Sequence, residues 1–126
     1  MIYLDEGGRS RLMKLPEYAS AMVPESKIVD YLLSFSHPDG RGKALFFSRF
    51  GFAVAQWQVL ADALRQHAAA HSVVTVDQTA FGTRYVIEGP VTAPNGRTPS
   101  IRVVWFIASG EAIPRLVTAY PHPGER

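Results

Sequence analysis

Cysteine is absent from the 126 residues, which excludes disulfides, cysteine–zinc sites and thiol catalysis. A domain without such staples relies on packing, as proteins of reducing compartments do, so the expected location is the cytoplasm. Charge is sparse: 19% of residues are charged, the formal net charge is +2 and the pI is near 9.2. That balance excludes a self-repelling disordered chain and permits contact with a polyanion without demanding it. Long apolar runs are also missing. No stretch approaches the roughly 20 apolar residues of a membrane span, and the opening MIYLDEGGRSRLMKLP lacks the apolar run of a signal peptide. No partner membrane is expected.

What is present is apolar material, 47% of the chain, enough for the core of one domain. Residues 1–12 carry the polar run Gly7-Gly8-Arg9-Ser10-Arg11 and read as a flexible extension. Residues 13–121 read as the domain, and 122–126 as a tail. A helix is expected from Pro24 to Phe35, because Ile28, Tyr31, Leu32 and Phe35 fall at i, i+3, i+4, i+7. His37-Pro38 should end it. A short helix follows over about 43–50, with Gly51 as its stop. Another spans about 54–69, with Val54, Trp57, Ala61, Leu64 and Ala68 inward. Trp57 and Trp105 read as core.

After Ser72 the period becomes two. Strands are expected over 73–76, 83–91, 100–108 and 115–120. Gly89-Pro90 suggests an edge or bulge, and Pro94-Asn95-Gly96 a hairpin turn. Helices followed by sequential strands on short connections give an α+β fold. Two to three helices should pack on one face of a three- to four-stranded antiparallel sheet.

Four places offer chemistry. The run Ser36 to Lys43 concentrates an imidazole (His37), a guanidinium (Arg41) and an ammonium (Lys43) on a turn that opens a helix. Imidazole is the side-chain type suited to proton transfer near neutral pH, and cations at a helix start favour an anion. The same run also fits a plain interhelical turn. Strand alternation allows Arg84, Arg102 and Arg115 to share one sheet face, where guanidinium groups would grip phosphates; it equally allows three ordinary surface arginines. Thr118 and Tyr120, beside Arg115, and Tyr85 beside Arg84, offer hydroxyls, although strand tyrosines often serve packing. His67 and His71 stand at i, i+4, a metal-gripping spacing, but no third ligand is evident and no metal or other cofactor is expected.

These residues resemble a family of small bacterial proteins with no settled activity. The resemblance rests on Lys14-Leu15-Pro16, Asp30-Tyr31-Leu32-Leu33-Ser34, the stretch His37 to Phe47, Gly51-Phe52, Phe81 to Tyr85, Val104-Trp105 and Pro114 to Tyr120. It covers residues 13–121 and leaves 1–12 outside. Some members are similar to toxin modules of toxin–antitoxin pairs. The order of elements is similar to colicin-D-like and barnase-like ribonucleases, which use His, Lys, Arg and hydroxyl groups around a sheet without a metal. No glutamate here stands in a clear barnase-like role.

The resulting expectation is a metal-independent endoribonuclease-like domain, the toxin of a pair, with RNA as substrate and a small antitoxin or immunity-type protein as partner. His37, Lys43, Arg41 and Thr118 would be catalytic, and Arg84, Arg102, Arg115, Tyr85 and Tyr120 would bind substrate. The alternative is a non-catalytic interaction domain using the open sheet face through Val104 and Phe106, or the strand edge near Pro90.

Overall fold

The computed structural model describes residues 2–4 and 10–122. Within the span expected as an extension, strand β1 (Ile2–Leu4) pairs antiparallel with β2 (Ser10–Leu12). The rest of that span, and tail residues 123–126, lie outside the described residues.

The first helix is shorter than its apolar stripe implied. One helical turn, α1 (Glu25–Lys27), continues as a π-helical segment over Ile28–Leu32. The Leu33 N–H bonds the Ile28 carbonyl at 2.8 Å, the wider spacing that defines such a turn. Ile28 and Leu32 are fully buried, but the extra residue per turn breaks the 3.6 period. Tyr31 therefore sits at the margin of the core and Phe35 is 54% exposed.

Helix α2 (Arg41–Arg49) ends as Gly51 foretold. Gly51 takes φ 100°, which a side chain would resist. Its N–H bonds the Ser48 carbonyl and the Phe52 N–H bonds the Phe47 carbonyl, with the Phe47 and Phe52 rings packed 5.9 Å apart. Helix α3 (Trp57–Ala70) follows a short turn at Val54–Gln56 and buries Leu60, Ala61, Leu64, His67 and Ala68.

Four strands complete the α+β fold: β3 (Val73–Thr79), β4 (Gly82–Pro90), β5 (Ser100–Ala108) and β6 (Arg115–Pro121), all antiparallel in sequential order. Strand β3 runs past the expected Val76, because the Thr79 hydroxyl accepts the Phe81 and Gly82 N–H groups and closes a tight turn. Strand β4 is interior rather than an edge. Gly89-Pro90 closes its end, and the irregularities fall instead between Val73 and Thr75 on β3 and opposite Val104–Trp105 on β6.

Register fixes the two faces. Tyr85 pairs with Trp105 and Trp105 with Leu116; Ile87 pairs with Val103 and Val103 with Ala119. This face carries the helices, and Ile87, Val103 and Trp105 are fully buried. The opposite face shows three cross-strand rows: Arg84–Phe106–Arg115, Val86–Val104–Thr118 and Glu88–Arg102–Tyr120. Val86 and Val104 are only 8% and 4% exposed. Val104 is thus not available for the contact expected of an interaction domain, although it points away from the helices. Among the described residues no helix is long and apolar enough to cross a membrane.

Candidate functional site

Strand β6 is a sheet edge, and the π turn lies against it. Tyr31 reaches across to Thr118, with the two hydroxyl oxygens 2.9 Å apart. Thr118 belongs to the outer face, so this bond ties the helical layer to the rim of that face. The turn between Leu33 and α2 closes over the same spot. Gly40 is essential there, because a Cβ built on it would overlap the Tyr31 carbonyl oxygen. Its absence lets the turn lie flat on the π segment. Gly40→Ala should cost about 2 kcal/mol in chemical denaturation, as overpacking does, and should loosen the cleft described next.

That close approach sets the His37 ring edge-on to the Tyr31 ring, centroids 5.0 Å apart. The Asp39 N–H donates to His37 Nδ1 at 3.0 Å, so in the neutral ring the proton resides on Nε2. The His37 carbonyl accepts the Gly40 and Arg41 N–H groups, so the first amides of α2 are used within the turn. A cleft of about 570 Å³ results, lined by Ser26, Lys27, Asp30, Tyr31, His37, Asp39, Val117 and Thr118. Lys27 and Lys43 carry their ammonium groups 5.5 and 5.3 Å from the Tyr31 ring centroid, and Lys43 also donates to the Asp39 carbonyl.

Of the residues expected to act together, the structure brings His37, Thr118 and Lys43 to one place. Arg41 is exposed at the start of α2. The three strand arginines do share the outer face, as alternation allowed, but none lines the cleft. Arg84 is paired with Asp77 at 3.3 Å. Arg102 forms an ion pair with Glu88, and its guanidinium lies 5.9 Å from the Tyr120 ring. Hydrogen bonding with Tyr120, then with Glu88, raises the Arg102 pKa above its ordinary value. Arg115 is exposed where β6 begins, bridged by its backbone to Met22. Tyr120 faces outward with Arg102, one strand repeat from Thr118. Tyr85 does not join them: it alternates with Arg84 and packs against the core under the helices.

Sequence reasoning missed Tyr31, Lys27, Asp30 and Asp39. Tyr31 was hidden because its place in an i, i+3, i+4 stripe reads as core. Only the π turn turns it toward β6, and no sequence pattern here announces that turn.

A second cavity, about 320 Å³, lies between the end of α3 and the β4–β5 connection, with His67, His71, Thr92 and Thr98 in its wall. His67 Nε2 lies 3.1 Å from the Gly89 carbonyl and His71 Nε2 lies 2.9 Å from that of Pro90. A carbonyl only accepts, so each ring donates from Nε2. Both imidazoles pin the helix to β4, and neither presents that nitrogen to a metal. His67 is 2% exposed, and burial, opposed by the Gly89 hydrogen bond and aided by the His71 charge, lowers its pKa to about 4.

No curated protein matches this chain. A solved structure described as a contact-dependent growth inhibition toxin–immunity protein complex from Klebsiella pneumoniae 342 contains a similar chain. The TM-score is 0.65 at 18% identity, over 81% of this chain and 100% of that one. At that identity the likeness is one of fold. A domain family described as DUF6883, a domain of unknown function, matches residues 14–123. That span takes in every described helix and all four strands of the main sheet, and the chain belongs to the DUF6883 family.

Proposed function

We propose that this protein is an RNA-cleaving domain of toxin type, acting without a metal and held in check by a cognate protein. One observation carries the reading: His37, with its Nδ1 occupied and its Nε2 bearing the proton, lines the same cleft as the Thr118 hydroxyl, with Lys27 in the wall and Lys43 beside it. Proton transfer and stabilisation of developing negative charge are the two tasks of phosphodiester cleavage by an internal nucleophile.

In this reaction the 2′-oxygen attacks the neighbouring phosphorus. The O2′–P bond forms as the P–O5′ bond breaks. The 2′-hydroxyl proton passes to a carboxylate, for which Asp30 in the cleft wall is the candidate. The His37 Nε2–H donates a hydrogen bond to the departing 5′ oxygen, and the proton taken up by the carboxylate reaches that oxygen through solvent. Lys27 and Lys43 offset the charge on the phosphorane. The products are a 2′,3′-cyclic phosphate and a 5′-hydroxyl end. Arg115, exposed where β6 begins on the face that Thr118 shares, would hold a neighbouring phosphate, whereas Arg102 would first have to leave Glu88.

The fold likeness to a chain of a toxin–immunity complex supports a partner-controlled role, and by itself it fits toxin or immunity protein equally. The cleft favours the toxin. The interaction-domain alternative draws no support from the outer face, whose central valines are buried. Induced expression in a bacterial host tests the reading. It predicts arrested growth with degraded RNA, and normal growth with His37→Ala expressed to the same level. Equal growth with both proteins would remove the toxin reading.

A further inference from the structure

We infer that Tyr31 is a further catalytic residue, the direct hydrogen-bond donor to a phosphate oxygen in this cleft, and that Thr118 is the positioning residue that prepares it. Its catalytic role rests on the RNA-cleaving reading; the phosphate site itself stands on geometry alone.

Four donors surround the Tyr31 hydroxyl's cleft, and they come from separate elements. The π turn supplies the Tyr31 hydroxyl, α1 the Lys27 ammonium, the following turn the His37 Nε2–H and α2 the Lys43 ammonium. The two ammonium groups lie 5.5 and 5.3 Å from the Tyr31 ring centroid, and the His37 imidazole meets that ring edge-on at 5.0 Å. The Tyr31 and Thr118 hydroxyls stand 2.9 Å apart, so one donates to the other. When Thr118 donates, the Tyr31 proton is left for a ligand, and the bond it accepts polarises its O–H. A tetrahedral oxyanion takes hydrogen bonds from several directions at once, which is what donors on several elements provide.

Two groups oppose an anion. Asp30 and Asp39 are exposed in the same wall. Lys27 and Lys43 balance them, so the site should be tuned by single charges. Removing one carboxylate should tighten it.

The test is a titration of the full chain with inorganic phosphate at neutral pH, followed by NMR shifts of the His37 and Thr118 resonances. Wild-type protein should show saturable binding at the cleft. Tyr31→Phe keeps the ring, and with it the contacts to His37, Lys27 and Lys43, yet should bind phosphate about tenfold more weakly, the worth of one charge-assisted hydrogen bond. Thr118→Val should weaken binding about threefold, while Thr118→Ser should restore it. Asp30→Asn should tighten binding about twofold. No saturable binding by wild-type protein, or equal binding by wild type and Tyr31→Phe with both folded by circular dichroism, would overturn the inference. Tyr31-dependent phosphate binding in a protein that leaves RNA intact would instead remove the nuclease reading and leave the phosphate site standing.

Discussion

Replacing His37 by alanine should lower the rate of RNA cleavage by about 10²- to 10⁴-fold, or about 3–5 kcal/mol of transition-state stabilisation. The loss should fall on kcat more than on KM, because in the proposed mechanism the imidazole acts on the departing oxygen while the lysines hold the phosphate throughout. The fold should survive. The turn that carries His37 is closed by backbone bonds from Gly40 and Arg41 to the His37 carbonyl, and alanine keeps that carbonyl. What alanine removes is the acceptor for the Asp39 N–H and the proton on Nε2. Stopped-time cleavage of a labelled RNA, with unfolding midpoints measured in parallel, checks both halves. A rate within a factor of about three of wild type would take His37 out of the chemistry.

The second large effect concerns stability. His67 has a folded-state pKa of about 4 against an ordinary value of 6.5, owing mainly to burial beside Leu64 and Ala68 in α3. The unfolded chain therefore binds a proton on this group at a pH where the folded chain does not. Stability from this group is complete above pH 6.5, falls as pH drops from about 6.5 to 4, and is flat below. The window corresponds to roughly 3 kcal/mol, a fifth or more of a typical domain's stability. The cause is visible: His67 Nε2 donates to the Gly89 carbonyl, while Nδ1 is buried with no acceptor among the described residues, so a second ring proton would have no partner. Urea denaturation across pH 4–7 should show an uptake of close to one proton on unfolding in this window. Glutamine at position 67 keeps an N–H donor for Gly89 and does not titrate, so the corresponding slope should vanish. An unchanged slope in that variant would show that other groups carry the acid sensitivity.

Much of the architecture was legible. Period-two alternation in Ile101, Val103 and Trp105 gave the buried face of β5, and the expected bounds of that strand hold. Gly51 marked the end of α2 because only a residue at ease with φ 100° can close that turn. The neighbourhood of Gly89-Pro90 misled, since a proline at the last position of an interior strand breaks no ladder bond that a neighbour needs. The candidate site was half legible. A turn with His37 and Lys43 stood out by composition, and Thr118 by its place on the last strand. Their meeting depends on a π turn that projects Tyr31 to the sheet edge and on a missing Cβ at Gly40, and both are properties of the packed chain. The arginines show the converse. Alternation correctly grouped Arg84, Arg102 and Arg115 on one face, but it carries no information about Asp77 and Glu88, which occupy two of them.

The central claim is that the cleft at the β6 edge performs phosphodiester cleavage with protein groups alone. The most direct measurement is to incubate the purified protein with single-stranded RNA in excess chelator and to identify the new ends. The account predicts fragments bearing 2′,3′-cyclic phosphate and 5′-hydroxyl ends with wild-type protein and almost none with His37→Ala. Intact RNA under these conditions, or fragments with 5′-phosphate ends, would contradict it.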